Sequence, residues 1–164
     1  MKKKVLILGS TGSIGQNTFN VFKKDKKNFN LVLLSTNKNV SKIMKQAFEL
    51  NVKNIIITNK EKFLKTKKKY RSSKINFYNS FNILSKLFEK KEIFYSMQSI
   101  VGIDGLKPTI DLIRISKKIA IVNKESLVCG WSLINKELKI NNTKFLPIDS
   151  EHFSINNLIE SCDV

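Results

Sequence analysis

Three short stretches of this chain hold residue types that do chemistry: Gly9-Ser10-Thr11-Gly12-Ser13-Ile14-Gly15, Asn123-Lys124-Glu125-Ser126 and Asp149-Ser150-Glu151-His152. The first is a glycine-rich turn, which lets backbone N–H groups approach a phosphate at the start of a helix. The second sets an ammonium beside a carboxylate. In the third, two carboxylates stand at i and i+2, so in extended backbone both point to one side and reach one hard cation. Phosphate handling, a charged elbow and metal-ready oxygens, in that chain order, suit a metal-dependent nicotinamide enzyme.

Each stretch also has a plainer reading. The first runs Gly-x-x-Gly-x-x-Gly rather than the usual Gly-x-Gly-x-x-Gly. Its glycines still permit a tight turn, a close pyrophosphate and helix-on-strand packing; the alternative is a bare glycine turn. After the second apolar run comes Ser35-Thr36-Asn37-Lys38-Asn39. It has no acid to accept ribose hydroxyls and one ammonium to meet a 2′-phosphate, which favours NADP over NAD, unless Lys38 is an ordinary loop lysine. Lys124 either donates to a ligand phosphate or hydroxyl with Glu125 holding it, or the segment simply opens a helix with Glu125 near its N-terminus. Asp149 and Glu151 suit Mg²⁺ or Mn²⁺, or else Asp149 caps a helix that Ser150 and Glu151 begin. His152, the only histidine, argues against zinc and reads as structural.

The elements that must position these residues alternate strand and helix, the pattern of a parallel sheet with crossover helices. Continuous apolar runs at 5–8, 31–34, 55–57 and 119–122 predict strands buried on both faces. Further strands are expected at 75–78, 93–95 and 145–148. Helices are marked by Ile14, Phe19, Val21 and Phe22, then by Ile43, Met44, Ala47, Phe48 and Leu50, and over 81–88, 110–115 and 127–138. Pro108 sits where a first helical turn tolerates it, and Asp104-Gly105 reads as a turn. Trp131 and the phenylalanines read as core. The fold class is therefore α/β, Rossmann-like and doubly wound, with a mainly parallel sheet.

A chain of 164 residues, 41% apolar, holds one ordinary domain or one and part of another. With no apolar run long enough to span a membrane, the expectation is a cytoplasmic protein without signal or transit peptide and without a membrane partner. The net charge of +17 suggests an anionic partner, yet of the 30 basic residues only Arg71 and Arg114 are arginine. Base readers and phosphate clamps favour arginine. The lysines accompany many Asn, Ile and Phe, and the densest cluster, residues 65–71, reads as the end of a surface helix. No specific nucleic-acid partner is expected. Cys129 and Cys162 share no metal or redox spacing, and Cys129 has no basic neighbour to activate it, against the nucleophilic cysteine of a semialdehyde dehydrogenase.

Taken together, the glycine turn, Ile100-Val101-Gly102-Ile103-Asp104-Gly105-Leu106-Lys107-Pro108-Thr109, Ala120-Ile121-Val122-Asn123-Lys124-Glu125-Ser126-Leu127-Val128 and Leu146-Pro147-Ile148-Asp149-Ser150-Glu151-His152 resemble the 1-deoxy-D-xylulose 5-phosphate reductoisomerase family. The resemblance runs nearly the whole chain. It implies rearrangement of that sugar phosphate and reduction by NADPH, with Mn²⁺ or Mg²⁺ as Lewis acid, to 2-C-methyl-D-erythritol 4-phosphate of non-mevalonate isoprenoid synthesis. It further implies that Thr11, Gly12, Ser13 and Ile14 line the pyrophosphate. Asn37, Lys38 and Asn39 face the adenosine phosphate, although the family often has Gly where Asn37 stands. Asn123 and Glu125 touch the cofactor, and Ser150 and Glu151 the substrate. Asp149 and Glu151 bind the metal and, with Lys124, which also meets the substrate, are the expected catalytic residues.

By the same resemblance, residues 1–145 form the NADPH-binding domain and 146–164 begin a catalytic domain. The family continues with the rest of that domain and a helical C-terminal one, which hold a further metal carboxylate, the substrate-phosphate residues and a closing loop. The family is homodimeric. The expectation is an apparently truncated enzyme, inactive alone. The alternative is a non-catalytic NADPH-binding fragment or half of a split enzyme.

Overall fold

The computed structural model describes residues 1–148. Seven strands are connected by helices: β1 (Lys3–Leu8), α1 (Ser13–Lys24), β2 (Phe29–Thr36), α2 (Val40–Glu49), β3 (Asn54–Ile57), α3 (Lys60–Lys69), β4 (Asn76–Tyr78), α4 (Leu84–Leu87), β5 (Ile93–Gln98), α5 (Leu106–Ile115), β6 (Ser116–Ile121), α6 (Lys124–Asn141) and β7 (Lys144–Pro147). The sheet order is β4-β3-β2-β1-β5-β6-β7, and all six described strand pairs are parallel. The expected fold class holds, with a wholly rather than mainly parallel sheet among the described residues. The order reverses at β1, where β2 lies on one side and β5 on the other; such a switch opens a crevice at the carboxyl ends of the strands.

The strands are continuous apolar runs because both faces are covered. Along β1, Val5 and Ile7 join a cluster with Phe19 and Phe22 of α1 and with Ile43, Met44 and Ala47 of α2. Leu6 and Leu8 join the opposite cluster, with Leu112 and Ile113 of α5 and Ile134 and Leu138 of α6. Each such side chain, removed from water, contributes roughly 1.5–3 kcal/mol.

Asparagine does much of the helix capping. The Asn39, Asn59 and Asn123 side chains accept the backbone N–H of Lys42 (3.2 Å), Lys62 (2.9 Å) and Ser126 (2.8 Å). Asn142 takes the left-handed conformation that ends α6, a position usually given to glycine.

Two expectations of buried residues are corrected. Trp131 is not core: Gly130, Ile134 and Leu138 form the inward i, i+4, i+8 stripe of α6, and Trp131, about 100° round the helix, is 46% exposed. Phe48, expected in the α2 stripe, falls outside it for the same reason and is exposed; Val21 lies within the expected helix α1 and faces outward. Asp104 and Gly105 do turn, within the 3₁₀ turn Ile103–Gly105, which runs directly into α5.

Candidate functional site at the strand switch

At the switch the chain leaves β1 through Gly9, whose φ of +78° only glycine takes without strain. A Cβ there would also lie 2.6 Å from the Ser99 carbonyl oxygen at the end of β5. Gly15, in the first turn of α1, has no room for a Cβ against the Gly9 carbonyl, so the helix closes directly onto the strand end. Gly12, the N-cap of α1, has no side chain to cap it. The first-turn N–H groups of a helix lack intrahelical partners, and here no acidic side chain stands in that turn. This is an anion-receiving helix end.

Polar clips fix the turn to β2 and α2. The Gly9 N–H donates to Ser35 Oγ (2.9 Å), Ser10 Oγ donates to Gln46 Oε1 (2.8 Å), and Gln46 Nε2 donates back to the Ser10 carbonyl (2.9 Å). Thr11 Oγ1 and Thr36 Oγ1 share a hydrogen bond of 2.8 Å. On the other flank, Ser99 Oγ donates to the Leu8 carbonyl (2.7 Å).

Between these flanks lies a cavity of about 550 Å³, lined by the glycine turn (Gly9, Thr11, Gly12), the end of β2 (Ser35, Thr36, Asn37), Thr58, Phe81 and the segment after β5 (Ser99, Ile100, Val101, Asp104). Here the donor set fits a dinucleotide phosphate: glycine backbone and a helix N-terminus at the turn. The end of β2 carries amide and hydroxyl groups, with the exposed Lys38 following and no carboxylate there. Gly12 is the informative glycine. A Cβ on it would meet protein no closer than 3.5 Å, so its lack of a side chain leaves room in the cavity rather than relieving crowding.

Of the residues singled out in the sequence, the cavity brings together Thr11, Gly12 and Asn37. Ser13 opens α1. The Ile14 side chain lies in a separate apolar groove with Phe22, Tyr95, Met97 and Ile148. Lys38 is exposed, and Asn39 caps α2. Asn123 is 3% exposed, and its side chain is fully occupied. Nδ2 donates to the carbonyls of Ile100 and Gly102, 2.6 Å each, while Oδ1 caps α6. Asn123 thus ties the cavity's β5 flank to the first turn of α6, where Lys124 and Glu125 are both exposed. Lys124 borders an apolar groove with Leu127, Val128, Trp131 and Phe145.

Asp149, Ser150, Glu151 and His152 lie outside the described residues, and so does the expected metal site. Among the described residues no group of three or more His, Cys, Asp or Glu forms a metal-ready cluster, and no helix is long and apolar enough to cross a membrane.

A family model described as 1-deoxy-D-xylulose 5-phosphate reductoisomerase matches residues 5–130. The chain belongs to this family. The 1-deoxy-D-xylulose 5-phosphate reductoisomerase of Pelagibacter ubique is 50% identical over 160 residues, 97% of this chain and 41% of that protein. The Clostridium novyi reductoisomerase is 42% identical over 155 residues, 93% of this chain and 40% of that protein. The chain thus spans about two-fifths of the length of these relatives.

Among solved structures, the Zymomonas mobilis reductoisomerase in complex with NADPH superposes with a TM-score of 0.84 at 30% identity, covering 93% of this chain and 40% of that one. A reductoisomerase complex with NADPH, fosmidomycin and magnesium gives 0.82 at 27% identity, covering 92% and 37%. A Staphylococcus aureus homoserine dehydrogenase, at 15% identity and a TM-score of 0.52, shares the fold alone.

Several residues of the reductoisomerase cavity were not legible beforehand. Thr58, Phe81 and Ser99 reach it only because the strand order aligns the ends of β3, β4 and β5 along one sheet edge. Ser10 and Gln46 are joined 36 positions apart, and no local pattern announces such a pair.

Proposed function

We propose that this chain supplies the NADPH-binding part of an NADPH- and divalent-metal-dependent reductoisomerase that converts 1-deoxy-D-xylulose 5-phosphate to 2-C-methyl-D-erythritol 4-phosphate. The observation that carries the reading is the cavity at the strand switch, bounded by an uncapped helix end and by a β2 terminus without a carboxylate. The relatives' names and the NADPH and magnesium complexes of the solved structures support it.

In this reading Thr11, Gly12, Ser13 and Ile14 receive the pyrophosphate, the last two through backbone N–H groups at the start of α1. Asn37, Lys38 and Asn39 lie toward the 2′-phosphate. Asn123 positions the β5 flank while Glu125 approaches the cofactor, and the Lys124 ammonium donates to a substrate oxygen. Asp149 and Glu151 hold Mn²⁺ or Mg²⁺, with Ser150 and Glu151 on the substrate. When bound, NADPH supplies the hydride and the ion polarises the substrate's carbonyl and hydroxyl oxygens. The partners in this proposal are a small sugar phosphate and a second copy of the protein, with neither specific nucleic acid nor membrane.

The relatives' greater length favours a second reading for these 164 residues alone: a non-catalytic NADPH-binding module, or half of a split enzyme. The test is NADPH binding, then NADPH consumption with 1-deoxy-D-xylulose 5-phosphate and Mn²⁺. Binding without turnover is expected, because two carboxylates without a closing loop leave substrate and ion open to water. Turnover by the chain alone would refute the modular reading. Failure to bind NADPH would refute both.

A further inference from the structure

The strand-switch cavity mixes hydroxyl and amide groups with the apolar side chains of Ile100 and Val101, and its aromatic side chain is Phe81. Phe81 opens a short 3₁₀ turn, Phe81–Ile83, just after β4. It is partly buried, packed against the core cluster on the α4–α6 side of the sheet while bordering the cavity.

Its placement is built by polar groups that have no other evident task. Asn79 Nδ2 donates to the carbonyls of Ile57 (2.7 Å) and Thr58 (3.1 Å), fastening the segment after β4 to the end of β3. Ser80 Oγ accepts the Asn82 N–H (3.2 Å) and caps the turn. The end of β3 is itself tied to β2: the Thr58 N–H donates to the Thr36 carbonyl (3.1 Å) and the Asn59 N–H to that of Asn37 (3.3 Å). A chain of hydrogen bonds therefore runs from the β2 end, through Thr58, to Asn79, two residues before the ring.

The order β4-β3-β2-β1 sets the direction. A pyrophosphate at the glycine turn after β1 places the adenosine ribose at the end of β2. The adenine continues outward to β3 and β4, about 5 Å per strand. Resting on the NADPH reading above, we infer that Phe81 is the adenine platform of this cavity: its ring stacks on the base, and the Asn79 clip holds it in place. Base–aromatic stacking needs only a π-face, so the contact adds affinity for the adenosine half whatever the nicotinamide end is doing.

The test measures binding of NADPH and of adenosine 2′,5′-bisphosphate, which carries base and 2′-phosphate but no nicotinamide, to the 164-residue chain and three variants. Phe81→Leu keeps apolar bulk without the π-face and is expected to weaken both ligands on the order of tenfold. Phe81→Tyr should restore wild-type affinity, and Asn79→Ala, which frees the segment without touching the ring, should weaken both ligands in the same sense. Melting curves verify that each variant is folded, so that a general loss of structure is not read as a loss of stacking. Unchanged bisphosphate affinity in folded Phe81→Leu, with the wild type binding NADPH, would overturn this inference alone. A wild-type chain that binds neither ligand would overturn it together with the cofactor reading.

Discussion

Gly12 isolates what a ligand asks of this cavity from what the fold asks. Gly9 and Gly15 are required by the protein itself, one by its dihedral and both by neighbouring atoms closer than a Cβ allows. Gly12 has no such constraint. Gly12→Ala should therefore leave the melting temperature within a degree or two while lowering NADPH affinity at least tenfold, whereas Gly9→Ala should lower stability by several kcal/mol. Calorimetric titration beside thermal melting separates the two. Tyr95 supplies a second single-residue prediction. Burial among Ile14, Met97 and Ile148 pushes its phenol up to about 12, against about 10 in the unfolded chain. A raised folded pKa contributes stability that is complete below pH 10 and is lost as the pH climbs toward 12, on the order of 2 kcal/mol. An ultraviolet titration should show a late-ionising phenol that Tyr95→Phe removes. Tyr95→Phe should flatten the alkaline loss of stability, and an equally steep loss would contradict the assignment.

At the scale of elements, α6 depends on Asn123 at both ends of one side chain. Asn123→Ala removes the helix cap and strips the Ile100 and Gly102 carbonyls of their donor. The expected cost is about 2–4 kcal/mol by denaturant unfolding. Asn123→Asp keeps the capping oxygen but turns a buried carboxylate oxygen onto those two carbonyls, so it should be at least as destabilising as Ala; wild-type stability in Asn123→Asp would mean that the two donated bonds carry nothing. Such a role shows how far the sequence could be read. The runs at β1, β2, β3 and β6 were plain because a strand covered on both faces has no polar alternation to confuse it. The helix α3 was legible only at its end, where the lysine cluster 65–71 reads as closing a surface helix, since Thr66 is its one buried residue and it offers no apolar stripe. The glycine turn was legible as a tight strand-to-helix turn. That Asn123 is consumed by backbone carbonyls 21 and 23 positions away was not, because strand order rather than spacing brings them together. The residues that complete the cavity at Thr58 and Phe81 were hidden for the same reason.

For the whole molecule, the net charge of +17 predicts a weak, sequence-indifferent attraction to nucleic acid and nothing more. Retention of duplex DNA at low salt should vanish near physiological ionic strength; sequence-selective binding that survives there would refute this. The wholly parallel sheet has a different consequence, in time rather than space. The central strand is made before either neighbour, and one of the two follows some 90 residues later, Val5 pairing with Tyr95. At about 5–20 residues per second, the growing chain carries one unpaired edge of its innermost strand for roughly 5–18 s. During that interval the apolar run at 5–8 awaits a partner not yet synthesised, so the cell must shelter early in life the same residues that later lie deepest in the fold.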